Sequence, residues 1–246
     1  RLLDAIIQGL NLMGENADGE EYEWFVLDFK DAFWQVPLRP DERKFFCARI
    51  VRNGSERYVV FLRAVQGSRP APLSWARVVA LLMRLTQAAA GSDKARLHCF
   101  VDDPIASISG SQRTRDTTIT LMVLLWEALG FELSYKKGQR GKAVDWIGGH
   151  LQFTVQGVRA QVKQSIIDDI VSALTRFETL NVLSKSDLRS FVGRSNHAAG
   201  LLMTLRPFLQ SIWAAHSIGP RCWRSGKYGL EETDRTFPSM DEIFLR

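Results

Sequence analysis

An α+β fold is predicted for this chain, with strands and helices mixed over residues 1–157 and helices alone over 158–216. Three observations carry that prediction. Apolar runs of strand length, such as WFVLDF at 24–29, end in a carboxylate or in turn residues. An Asn53-Gly54 pair sits between two β-rich runs and is a strong hairpin signal. From residue 163 onward the apolar residues recur at helical spacing instead. A sizeable core is expected, because 46% of the 246 residues are hydrophobic and they include 14 Phe, 7 Trp and 4 Tyr.

Residues 1–20 join a helical pattern (Leu2, Leu3, Ile6, Ile7, Leu10) to an acidic, glycine-containing link. WFVLDF reads as a buried strand, and FFCARIV and YVVFLRAV as the arms of a hairpin around RNGSER. SWARVVALLMRLTQAAA, 74–90, has helix period after Pro70 and Pro72, with Ser74 able to cap. A strand at 97–101, two aspartates and a strand at 105–109 read as a tight hairpin. Thr117–Leu129 reads as a helix that stops at Gly130. FELSYKKGQRGKAVDWIGGHLQF reads as strand, basic loop, strand. Ile166, Ile167, Ile170, Val171, Leu174 and Phe177 share one face of a helix over 163–180. Ser184 and Asp187 resemble a capping box that opens a helix to about Ala199. Residues 217–246 are rich in Arg, Gly and Ser and poorly patterned.

Several classes are excluded early. No apolar run approaches the roughly 20 residues of a spanning helix, so no membrane role is expected. Cys47, Cys99 and Cys222 are too few and too scattered for a disulfide scaffold or a zinc site. An intracellular setting, cytoplasm or nucleus, is the expectation. The chain opens on Arg1 without a leader-like pattern and reads as part of a longer frame. The net charge of +5 is matched by the window from Arg39 to Arg69, where eight basic residues face three acidic ones. Such a surface can follow a phosphate backbone, or be an ordinary solvated hairpin.

The chemistry concentrates in carboxylates. In CFVDDPIASI, Asp102 and Asp103 stand side by side at the end of an apolar strand, a costly arrangement unless a positive partner is near. Asp28 ends WFVLDF in the same way. Carboxylates from two separated strand ends can hold a pair of divalent cations, which would clamp the attacking and leaving oxygens of a phosphoryl transfer. The plain alternative is that these aspartates are turn formers.

VLDFKDAFWQVPL, AVQGSRPAPLSW, FVDD, LGFELSYKKGQ and VDWIGGHL, in this order and with Asp28 and Asp102 74 residues apart, resemble the palm of reverse transcriptases of retrotransposons and retroviruses. The resemblance covers roughly residues 24–152, and more loosely the helices to about Ala215. It implies a polymerase right-hand palm with partial fingers over 1–157, a helical thumb over 158–216 and an unassigned tail over 217–246. It implies metal binding by Asp28, Asp102 and Asp103, with two Mg²⁺ as cofactors and Mn²⁺ as an alternative. Asp31 and Ala32 would present backbone N–H groups to the triphosphate, and Phe33 would lie under the sugar and favour dNTP. Gln66 and Gly67 would line the nucleotide and template pocket, with Arg69 adding phosphate contact. Lys136 or Lys137 would stand near the leaving pyrophosphate, Lys137 fitting the pattern better. Trp146, Ile147, Gly148 and Gly149 would grip the primer end. Away from these motifs, Phe33 and Trp146 read as core, Gln66-Gly67 as a turn, and the lysines as a solvated loop.

The chain departs from the family pattern at Pro104, after the Asp pair, at Ala64-Val65, and at Pro70-Ala71. The implied partners are an RNA or DNA template with primer and dNTP, and the implied activity is RNA-directed DNA polymerisation. An RNA-templated RNA polymerase and a catalytically silent nucleic-acid-binding relative are the alternatives. A cyclase-like enzyme fits less well, since it needs no primer grip or thumb.

Overall fold

The structure, a computed structural model, describes residues 1–16, 19–180 and 184–217. The tail predicted over 217–246 therefore lies outside the described residues from 218 onward. The chain divides into two compact units. The first is built mainly from residues 3–146 and 151–159, the second from 147–150 and from Ala160 onward.

The first unit begins with α1 (Leu2–Glu15), β1 (Tyr22–Val26) and a 3₁₀ turn over Ala32–Gln35. It continues through β2 (Cys47–Arg52), β3 (Ser55–Val60), α2 (Ala71–Ala90), β4 (Ala95–Phe100), β5 (Asp103–Ser109) and α3 (Gln112–Ala128). After a 3₁₀ turn at Tyr135–Lys137 come β6 (Gln139–Gly141) and β7 (Ala143–Trp146); the next strands in the chain, β8 (Gly149–Thr154) and β9 (Gly157–Val162), each contain residues of both units. A four-stranded sheet has the order β4-β5-β1-β6, with antiparallel pairing at each step. The β2–β3 hairpin stands apart as its own two-stranded sheet, and β7-β8-β9 form a third.

Alternation along β1 explains how the four-stranded sheet packs. Phe25, Leu27 and Phe29 join Ala106 and Ile108 of β5 in the main core, with Trp75, Val79 and Leu82 of α2 and Met122 and Trp126 of α3. Trp24 points to the other face and stacks on Phe153 of β8, ring centres 4.4 Å apart. Both faces are covered, so β1 and β5 are buried along nearly their whole length. Each buried tryptophan in this core removes enough apolar surface for about 4–6 kcal/mol of transfer free energy.

The observed elements differ from expectation at their edges. The strand read at 24–29 ends at Val26. Beyond it Leu27 N still donates to Pro104 O at 3.3 Å and Phe29 N to Asp102 O at 3.2 Å. Proline has no N–H to return the first bond, so the ladder is one-sided there. Helix α2 starts at Ala71, with Pro72 in its first turn, and Ser74 lies inside the helix rather than capping it. Helix α3 starts five residues earlier than the apolar period indicates, because Ser111 Oγ accepts from Thr114 N and caps a wholly polar first turn. The stop at Gly130 is as expected: Gly130 sits at φ 86° and donates to Glu127 O. The single strand expected after the basic loop is three short ones.

The second unit contains α4 (Gln164–Glu178), α5 (Lys185–Leu201) and α6 (Arg206–Ser217). Phe177, Leu188, Phe191, Val192, Leu209 and Ile212 form its core. Ser184 caps α5 as predicted, its Oγ accepting from Asp187 N at 3.0 Å.

Candidate active site

The three aspartates meet at one end of the four-stranded sheet. Tyr22 pairs with Ser109 and Val26 with Ile105, and continuing that register by two residues sets Asp28 opposite Asp103. Alternation then puts both side chains on the sheet face that Trp24 and Val26 share, away from α2 and α3. Asp28 is 7% exposed; Asp102 and Asp103 are half-buried.

Asp102 is delivered by a two-residue turn. Phe100 pairs with Asp103, leaving Val101 and Asp102 to reverse the chain. Val101 has φ 58°, a left-handed conformation that costs a β-branched residue roughly 1–3 kcal/mol. The strain is held by donors from three elements. Trp75 Nε1 of α2 donates to Val101 O at 2.7 Å, Phe29 N to Asp102 O at 3.2 Å, and Trp146 Nε1 of β7 to Asp103 O at 3.1 Å.

The cation nearest the carboxylates is Lys137, whose Nζ lies 2.5 Å from Asp28 Oδ2. That bond and the Asp28 charge raise the Lys137 pKa. Burial raises the Asp102 pKa, and the Asp28 charge raises it further. Asp103 is pushed up to about 6 by burial and by the charges of Asp102 and Asp28, with a hydrogen bond shared with Asp28 adding to the effect. One lysine thus leaves this carboxylate cluster short of positive charge. An all-oxygen donor set of this kind suits a hard divalent cation. Among the described residues, however, no group of three or more His, Cys, Asp or Glu is already arranged to hold a metal ion. Side-chain movement would be needed to gather the three around one.

The residues expected to bind nucleotide lie on two adjoining turns. Asp31, at φ 49°, starts the 3₁₀ turn; Ala32 is buried and Phe33 packs partly against the main core. Leu38 N donates to Leu62 O at 3.0 Å and Ala64 N to Val36 O at 2.8 Å. This pairing brings the turn with Gln66, Gly67 and Arg69 alongside the first. All three are exposed, and Gly67 has φ 89° with open space where a Cβ would be. Gly67 therefore leaves the backbone free for close approach.

Sequence reading missed two residues here. Gln35 Nε2 donates to Lys30 O at 2.5 Å and to Glu132 O at 2.9 Å, and its Oε1 accepts from Glu132 N at 3.0 Å. It thereby ties the Ala32–Gln35 turn to the chain after α3. Gln35 lies within the first motif, but nothing in sequence marks an amide that holds backbone atoms 97 residues away. In sequence, Trp75 reads only as part of a helix period.

Trp146 is expected at the primer end. It is 2% exposed, packs edge-on to His98 and donates to Asp103 O. A ring this size is driven inward by its own surface. The turn after it has Ile147 at φ 38° and Gly148 at φ 85°. Within the second unit, a Cβ on Gly148 would come 3.1 Å from Ile166 Cδ1, so a side chain there would crowd α4. Gly149 is buried.

Residues 5–151 match the family model for reverse transcriptase (RNA-dependent DNA polymerase). Among curated protein sequences none matches. Solved structures share the fold, among them two foamy viral ones. The foamy viral protease-reverse transcriptase in complex with RNA/DNA hybrid aligns over 80% of this chain and 24% of its own, at 17% identity and TM-score 0.56. A foamy viral protease-reverse transcriptase in complex with double-stranded DNA aligns over 85% of this chain and 33% of its own, at 19% identity and TM-score 0.52. This chain thus spans about a quarter to a third of those proteins. With a family match over more than half its length, the chain belongs to the reverse transcriptase family.

Proposed function

We propose that this chain is the palm-centred part of a retroelement RNA-directed DNA polymerase, with 1–157 as partial fingers and palm and 158–216 as thumb. The observation that carries the reading is the meeting of Asp28, Asp102 and Asp103 at one sheet end beside Lys137. In the reaction a primer 3′-oxygen bonds to the α-phosphorus of a dNTP, the bond to the β-phosphate oxygen breaks, and pyrophosphate leaves. Asp28, Asp102 and Asp103 would hold two Mg²⁺ ions, or Mn²⁺, which when bound promote ionisation of the 3′-OH and neutralise the triphosphate. Lys137, freed from Asp28, would stand near the leaving group as a charge or proton donor. Phe33 would set a flat wall under the sugar and disfavour a 2′-OH. Base pairing with the template would supply sequence, and the basic segment 39–69 would follow its backbone.

Primer extension on RNA and DNA templates, with dNTP or NTP, tests this against Asp102→Asn. We expect dNTP addition that Asp102→Asn reduces by at least ~10²-fold. Extension indifferent to Asp102→Asn overturns the site. Extension with NTP alone makes the protein an RNA polymerase, and salt-sensitive duplex binding without incorporation makes it a silent relative.

A further inference from the structure

We propose that Trp75 and Trp146 are positioning residues that clamp the Val101–Asp102–Asp103 turn through their indole N–H groups. Two tryptophans from different elements donate to the carbonyls on either side of Asp102, at 2.7 Å and 3.1 Å. Between them Phe29 N takes the carbonyl of Asp102 itself. Three successive carbonyls of a strained turn are each held by a separate element, α2, β7 and the chain after β1. Pro104 makes such support necessary. It sits immediately after the turn, paired with Leu27, and cannot donate the ladder bond that would tie β5 back to the Asp28 segment.

Ordinary core filling does not account for this arrangement. Phenylalanine would fill much of the same volume without a polar atom. Nor must every indole here find a partner, because Trp24 Nε1 is buried with none. Trp75 and Trp146 are 0% and 2% exposed, so water does not reach their indole rings as an alternative partner. Trp126 provides the internal comparison. It is 1% exposed in the same core as Trp75, and its Nε1 donates at 2.7 Å to Thr86 Oγ1, a partner unconnected with the turn.

What the turn accomplishes rests on the polymerase reading; the clamp itself does not, and the experiment separates the two. Trp75→Phe, Trp146→Phe and Trp126→Phe are compared by hydrogen exchange of the whole chain and by single-dNTP addition. Amides over 97–105 should exchange roughly tenfold faster in Trp75→Phe and Trp146→Phe and at the parental rate in Trp126→Phe. In extension, the first two should lower kcat about tenfold with KM for dNTP within about twofold, while Trp126→Phe stays within about twofold of the parent in both. Should Trp146→Phe fail to fold, Trp75→Phe against Trp126→Phe carries the same test. Unchanged exchange over 97–105, or equal effects from Trp126→Phe, overturns the clamp. If the parent and Asp102→Asn are equally inert, the polymerase reading fails and the exchange data still decide the clamp.

Discussion

Replacing Asp103 by Asn should stabilise the metal-free protein at neutral pH. The native environment raises the Asp103 carboxyl from 3.8 to about 6, first by burial and then through the charges of Asp102 and Asp28. At about 1.4 kcal/mol per unit the ceiling is about 3 kcal/mol, and solvent screening at a half-buried site brings this to about 1–2 kcal/mol. The sign follows from which state holds the proton more tightly. Here it is the native state, so the favourable contribution is complete below the unfolded value near pH 4 and is lost as pH rises through about 6. Asn carries no charge to repel. In urea unfolding with chelator present, Asp103→Asn and the parent should converge near pH 4 and separate in favour of the variant by about 1–2 kcal/mol at pH 7–7.5. The Asp187 carboxyl, lowered by Ser184 and then Arg176, contributes in the opposite direction but cancels in the difference. Adding Mg²⁺ at pH 7.5 should stabilise the parent more than the variant, since a ligand bound only to the native state adds about 2.7 kcal/mol at a hundred times its Kd. A variant less stable than the parent at pH 7.5, or a difference independent of pH, would refute the reasoning.

Two further predictions concern the scaffold. Arg115, 5% exposed, ion-pairs with Glu21 at 2.7 Å and the buried Glu23 at 3.3 Å, and donates to Gly110 O at 2.5 Å. Arg115→Leu should cost about 3 kcal/mol in urea unfolding, the low end for breaking a buried pair, because Arg140 still holds Glu23 at 2.7 Å; a loss under about 1 kcal/mol would show that Arg140 suffices alone. Val101→Gly should leave the melting free energy within about 1 kcal/mol of the parent, relief of the left-handed strain offsetting the greater entropy of the unfolded chain. A loss above about 2 kcal/mol would mean that the turn is not strained as described.

Much of this protein was legible in one dimension because its signals are local. The β2–β3 hairpin follows from Asn53-Gly54, the α5 start from Ser184 and Asp187, and the stop after α3 from Gly130; each needs only neighbours along the chain. Asp28, Asp102 and Asp103 stood out because charge at the end of an apolar run is conspicuous. The tertiary structure decided what depends on partners far apart in sequence. It chose Lys137 as the cation at Asp28, placed Asp28 opposite Asp103 through pairing of β1 with β5, turned Trp146 inward, and gave Gln35 and Trp75 their backbone acceptors. The physical reason is common to all of them. Periodicity and turn chemistry state which way a residue faces, whereas a hydrogen bond or ion pair across 26 to 109 residues exists only once the fold has brought its two ends together.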